Sequence, residues 1–192
     1  RHGYGHTIPP HEVNYRANLW ALKDHGVDRV VSVATVGGIH PELIPGTLAI
    51  PDQIIDYTHG RASTFSVGTD KPVVHRDFTF PYCEAMRAAL LQAAATAGIS
   101  LRDGGVYGAA QGPRLETAAE INRMERDGVA MVGMTGMPEA YLARELDLCY
   151  AAVGAVVNYA AGRGLSADGI QMEEIQAVLG EVMLQVRHLL EQ

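Results

Sequence analysis

Glu116 and Asn158 are the two polar side chains whose placement invites chemistry, because each follows a run of apolar residues. A carboxylate accepts a hydrogen bond from a ring N–H, and an amide both donates and accepts. Together they suit a heterocycle with a ring N–H beside acceptor atoms, as in a 6-oxopurine. Each also has a plainer reading: Glu116 as a first-turn helix carboxylate facing the dipole, Asn158 as a turn residue. Near them in type and position stand Met134 and Thr135, at the end of the apolar run Val129 to Met134. One offers an apolar surface and the other a hydroxyl, as a ligand with a sugar and an anion requires.

Arg1-His2-Gly3-Tyr4-Gly5-His6 gathers a guanidinium, two imidazoles and a phenol among glycines. Arginine's forked donors suit phosphate; a solvated terminal segment is the equally open alternative. Thr35-Val36-Gly37-Gly38 ends another apolar run, where exposed N–H groups at a turn can cradle an anion. The eight histidines show no zinc-like spacing with cysteine or carboxylate, so no metal is expected. No G-x-S-x-G, Walker or G-x-G-x-x-G pattern occurs.

These side chains need a scaffold, and strand-like and helix-like stretches alternate along the chain. Strands are expected at Arg29 to Ala34, Thr47 to Ile50 (Gln53 to Asp56 continuing the pairing), Gly105 to Ala110, Val129 to Met134 and Cys149 to Val157. Helices are expected at Glu12 to His25, Pro81 to Ala97, Glu116 to Asp127, Pro138 to Leu146 and Met172 to Leu190. The last carries Ile175, Val178, Leu179, Val182, Val186 and Leu189 at helical spacing. Gly60 to Lys71 reads as a mobile loop. The alternation implies an α/β fold, a mixed or parallel sheet flanked by helices. Such a sheet builds its ligand crevice where strands end and helices begin.

The 192 residues are expected to form one domain, residues 1–192. The balance of 15 basic against 22 acidic residues argues against nonspecific nucleic-acid binding. No apolar run reaches the roughly 20 residues of a membrane helix, and no signal peptide is expected. Cys83 and Cys149 read as reduced thiols of a cytoplasmic protein, Cys149 as a core residue. Because the chain opens on Arg1, an N-terminal part, a first strand and its loop, is expected to be absent.

Nearly the whole chain resembles the trimeric purine nucleoside phosphorylase family, and especially its methylthioadenosine phosphorylase branch. The resemblance is carried by Arg1-His2-Gly3, His6-Thr7-Ile8, Val13-Asn14-Tyr15-Arg16-Ala17-Asn18, Pro45-Gly46, Asp52-Gln53-Ile54-Ile55-Asp56, Gly112-Pro113-Arg114, Met134-Thr135 and Pro138-Glu139. It implies the family's mixed central sheet and its reaction, cleavage of the N-glycosidic bond of purine nucleosides with inorganic phosphate as co-substrate and no cofactor. It also implies roles. Arg1, His2 and Thr135 bind phosphate, helped by backbone at Ala34-Thr35. Met134 lies under the ribose. Leu115, Glu116, Asn158, Tyr159 and Ala160 face the base. His75 reaches a neighbouring subunit's site in a homotrimer. The family's N-terminal Gly-rich loop, which adds a phosphate-binding hydroxyl, has no counterpart in this sequence.

Two departures bear on the substrate. The methylthioadenosine branch has Asp-Tyr-Asp where this chain has Asn158-Tyr159-Ala160, and serine where it has Glu116; the inosine/guanosine branch has Glu and Asn at these positions. Adenine N1 is an acceptor, and an ionised Glu116 would oppose it with a second acceptor. Mismatches of that kind discriminate by roughly 10⁴-fold. The resemblance therefore implies a 6-oxopurine. At the sugar, the inosine/guanosine branch has a histidine for the 5′-hydroxyl where this chain has Met172. An apolar Met172 favours a 5′-methylthio group, whose burial is worth about 1–2 kcal/mol. The alternative is that it is the first core residue of the last helix. The expected reaction is phosphorolysis of 5′-methylthioinosine to hypoxanthine and 5-methylthioribose 1-phosphate. The alternatives are a methylthioadenosine phosphorylase, a general inosine/guanosine phosphorylase, and a nucleoside-binding module without catalysis.

Overall fold

The longest strand organises the structure, a computed structural model that describes residues 1–68 and 73–192. Strand β7 (Cys149–Tyr159) is buried from Tyr150 to Val157. A strand covered on both faces must be apolar at successive positions, not alternate ones. It lies parallel to β1 (Arg29–Gly38) along the whole length of that strand, from Arg29 opposite Cys149 to Gly38 opposite Tyr159.

The remaining strands are β2 (Leu48–Ile50), β3 (Gln53–Asp56), β4 (Leu101–Asp103), β5 (Val106–Ala109) and β6 (Val129–Gly133). The seven form one sheet in the order β3-β5-β6-β1-β7-β2-β4. The pairs β1/β6 and β2/β7 are antiparallel and the others parallel, so the sheet is mixed, as expected. Among the described residues, five α-helices flank it: α1 (Tyr15–Asp24), α2 (Glu84–Ala97), α3 (Ala118–Arg126), α4 (Gly136–Glu145) and α5 (Met172–Leu190). Helices α2 and α5 cover β7 on one face through Leu90, Ala94, Val182, Val186 and Leu189. On the other face α1 and α4 pack Leu19, Ala140 and Leu142 against Met131, Tyr150 and Val156.

Several boundaries differ from the sequence reading for physical reasons. Helix α1 starts at Tyr15, where Asn14 Oδ1 caps the Ala17 N–H at 3.0 Å, and not at Glu12. Helix α3 starts after Thr117, which with Glu120 forms a reciprocal capping box. Glu116 is therefore not a first-turn helix residue. Strand β1 does not break at Thr35 but continues to Gly38, so Thr35 to Gly38 is not an anion-cradling turn. Strand β4 is too short to announce itself. Asn158 is a strand residue, not a turn residue.

The two cysteines correct a further expectation. Cys83 and Cys149 form a disulfide. The Cys83 N–H donates to the Tyr150 carbonyl at 2.7 Å, which brings the start of α2 over the first residue of β7. The 66-residue separation hides that contact in the sequence. They are not the free thiols expected from the sequence and do not speak for a reducing compartment. Among the described residues, no helix is long and apolar enough to cross a membrane.

Candidate active site

Strand pairing brings several of the candidate residues together. Strand β6 runs antiparallel to the end of β1, Gly37 opposite Val132 and Gly38 opposite Met131. Continuing past Gly133, the chain turns through Met134-Thr135 into α4. That turn is flanked by Gly133 and Gly136 because buried Tyr107 lies beneath it. A β-carbon on Gly133 would sit 2.1 Å from the Tyr107 Oη, and one on Gly136 would sit 2.7 Å from its ring. The Thr135 N–H points at the Tyr107 hydroxyl, 3.5 Å away. Burial drives the Tyr107 phenol's pKa up, so the group stays neutral.

Arg1 reaches this turn from the other side. Its Nε and Nη2 donate to Glu139 on α4 at 2.5 and 2.7 Å, and Nη2 also donates to Ser32 Oγ. Its Nη1 donates to the Val33 carbonyl at 3.0 Å. Four of the five guanidinium N–H groups are thus committed, leaving one on Nη1 for a ligand. Glu139 is buried and also accepts from the Tyr150 hydroxyl at 2.8 Å. Burial alone would lower the Arg1 pKa; the hydrogen bond and charge of Glu139 outweigh it, and the net shift is upward. The pair presents a rigid donor in place of a free positive charge.

His2 is partly exposed beside Arg1, and its Nδ1 lies 2.9 Å from the Ile8 carbonyl. A carbonyl only accepts, so Nδ1 carries the proton and Nε2 is left for a ligand. Arg1, the β1 segment Val33–Thr35 and Thr135 thus gather around one region, through the Arg1 contacts to Val33 and Glu139 and the β1/β6 pairing. Glu139, Ser32 and Tyr150 were not assigned roles from the sequence. Only Pro138-Glu139, among the segments carrying the resemblance, hinted at the first.

The second cluster forms where β5 and β7 end. A register shift between Val36 and Gly37 leaves Val157 unpaired with β1 and sets Asn158 opposite Gly37. Bulges of this kind re-aim side chains beside sites. The Asn158 Nδ2 donates to the Tyr159 carbonyl at 2.7 Å, leaving its Oδ1 to accept. Ala160 is buried and its N–H donates to the Gly38 carbonyl.

Glu116 lies in the loop between β5 and α3. That loop is packed onto Met134, since a β-carbon on Gly112 would come within 2.5 Å of Met134 Sδ. The helix that follows, α3, touches the segment after β7, where a β-carbon on Gly162 would come within 2.8 Å of Ala118 and Arg163 donates to Asn122 and Glu125, each at 2.9 Å. Glu116 is partly buried, and burial chiefly raises its pKa. It lines a cavity of about 600 Å³ with Thr58, His59, Gln111, Gly112 and Arg114, but Asn158 and the Arg1 cluster do not line it. Among the described residues, no hydrogen bond joins Glu116 to Asn158.

Three predicted residues stand apart from these packing contacts. Leu115 is 42 % exposed and Met172 54 % exposed. Met172 belongs to none of the three apolar clusters, so it is not the first core residue of α5. His75 lies in the exposed segment before α2.

The sequence profile of the phosphorylase superfamily matches residues 1–192. The chain belongs to that superfamily. A probable S-methyl-5′-thioinosine phosphorylase of Pseudomonas syringae is 51 % identical over 97 % of this chain and 75 % of its own length. A 6-oxopurine nucleoside phosphorylase of Pyrococcus furiosus is 52 % identical over 84 % of this chain and 63 % of its own length. Among solved structures, methylthioadenosine phosphorylase from Schistosoma mansoni in complex with adenine superposes with a TM-score of 0.93 at 32 % identity, over 99 % of this chain and 73 % of that one. The chain is accordingly a purine nucleoside phosphorylase enzyme.

Proposed function

We propose that this enzyme cleaves 5′-methylthioinosine with inorganic phosphate, giving hypoxanthine and 5-methylthioribose 1-phosphate, with residues 1–192 acting as one domain. The observation that carries the base assignment is Glu116 standing outside α3, partly buried, on the loop that leads into α3, the helix bonded to the segment just after the strand of Asn158. An ionised Glu116 accepts the N1–H of a 6-oxopurine, and Asn158 serves the N7 edge. The names of the relatives from Pseudomonas syringae and Pyrococcus furiosus support a 6-oxopurine. Met172 supports the 5′-methylthio group, since it is a large apolar side chain that the core leaves uncovered.

Phosphate binds the free Arg1 N–H, His2, Thr135 and the backbone at Ala34–Thr35. Met134 lies under the ribose, and Leu115, Tyr159 and Ala160 complete the base pocket. The C1′–N9 bond breaks as a phosphate oxygen bonds to C1′, and phosphate offsets the charge developing on the sugar. The purine takes up one proton; an amide is no acid, so solvent supplies it. Preorganised donors account for most of the barrier reduction. The same reading places the chain in a homotrimer, His75 reaching a neighbour's site. Exposed Val67, Val73, Val74 and Phe80 in the surrounding segment support such a contact.

Side-by-side phosphorolysis rates on methylthioinosine, methylthioadenosine and inosine test the proposal. Methylthioinosine is expected to be fastest. Faster turnover of methylthioadenosine rejects the base assignment, equal turnover of inosine rejects the sugar assignment, and base release that ignores added phosphate rejects the reaction.

A further inference from the structure

Arg61 sits in the segment read from sequence as a mobile loop, whose residues beyond 68 up to 71 lie outside the described residues. Its guanidinium is anything but loose. Nη1 donates to the carbonyls of Met134 at 2.8 Å and Met137 at 2.6 Å. Nη2 donates to the carbonyls of Ala110 at 3.2 Å and Gln111 at 2.7 Å, and Nε donates to Gln111 Oε1 at 3.2 Å. All five N–H groups are spent on neutral acceptors. The guanidinium also lies 5.7 Å from the centroid of the Tyr15 ring. Gln111 Oε1 in turn accepts the His59 N–H at 3.1 Å, so Arg61 and His59 hold the loop through one amide.

The four carbonyls fall in two pairs. Met134 and Met137 bracket the Thr135 turn; Ala110 and Gln111 begin the loop that ends at Glu116. We infer that Arg61 is a positioning residue, a planar clamp that sets the distance between the turn bearing Met134 and Thr135 and the loop bearing Glu116. This rests on the site proposed above. Phosphate and purine must be held on opposite sides of C1′ at a fixed separation, and one cation bonded to both backbones fixes it. A misplacement of about 1 Å costs on the order of 10²-fold in rate. Lysine offers three donors from one nitrogen and cannot span both pairs.

The test compares Arg61→Lys and Arg61→Ala with the parent full-length enzyme. Turnover, the KM for phosphate and the KM for nucleoside are measured, with and without millimolar methylguanidinium. Arg61→Lys is expected to lose about 10²-fold in kcat and to raise both KM values. Arg61→Ala behaves similarly and regains activity several-fold with methylguanidinium, whereas Arg61→Lys regains none. A purely structural loss lowers the rate with the folded fraction, leaves both KM values unchanged and is not rescued; that result overturns the inference, as does parent-like activity in Arg61→Lys. Should Arg61→Ala fail to fold, the Lys variant decides alone. Thr135→Ala and Glu116→Ala run alongside. If they lose activity and Arg61→Lys does not, the clamp fails; if they too retain full activity, the site reading itself fails.

Discussion

The two ends of the proposed site, one for the anion and one for the base, are built in opposite ways. At the anion end, Arg1, Ser32, Val33, Glu139 and Tyr150 form a connected set in which Glu139 is buried and most donors are already used. It is anchored on β1, β7 and α4. At the base end, no hydrogen bond joins Glu116 to Asn158 among the described residues. Glu116 rides on a loop, and Asn158 spends only its N–H on a neighbouring carbonyl. On the proposed reading, one end is preorganised for the phosphate that every substrate shares. On the same reading, the other can exchange a carboxylate or an amide for another group without unpicking a core network.

Three experiments bear on that contrast. The largest effect is expected from exchanging the base-facing pair, Glu116→Ser with Asn158→Asp. The ratio of rates on methylthioinosine and methylthioadenosine should move toward the amino substrate by about 10³-fold, with little change in thermal stability. An unmoved ratio would separate these side chains from base recognition.

Glu139→Gln probes the other end. It leaves the Arg1 guanidinium facing an amide in a largely buried setting. Breaking a buried pair costs about 3 kcal/mol, to be read by urea denaturation, and the KM for phosphate should rise while base preference holds. A stable variant with an altered base ratio would invert the comparison.

The smallest effect is expected from pH. Burial raises the Glu116 pKa, so its carboxyl is protonated at a higher pH than an exposed glutamate. The ionised form accepts the N1–H of a 6-oxopurine; the protonated form donates to adenine N1. Lowering the pH from neutrality toward that raised pKa should therefore erode the preference for the oxo substrate. A preference that strengthens in acid would contradict the assigned role.

Much of the scaffold was legible in local sequence. The apolar run at β7 and the helical spacing of Val182, Val186 and Leu189 announce elements whose burial the structure bears out. Helix α2 ends at Ala97, where the sequence reading put it, because Gly98 takes a left-handed conformation there. Capping chemistry was less so. Thr117 and Glu120 lie three apart, yet Glu116 beside them was equally plausible as a helix residue until the box was seen closed.

The amino-acid order by itself determined which segments form most of the strands and helices, because apolar periodicity acts over a few residues. It also supplied the chemical types present at the strand ends. Only the tertiary structure decided what those groups touch. Glu139 meets Arg1 across 138 positions, Arg61 grips carbonyls 49 to 76 positions away, and Cys83 joins Cys149 across 66. Backbone carbonyls carry no sequence signature, so a side chain that bonds to them is invisible until the sheet brings them within reach.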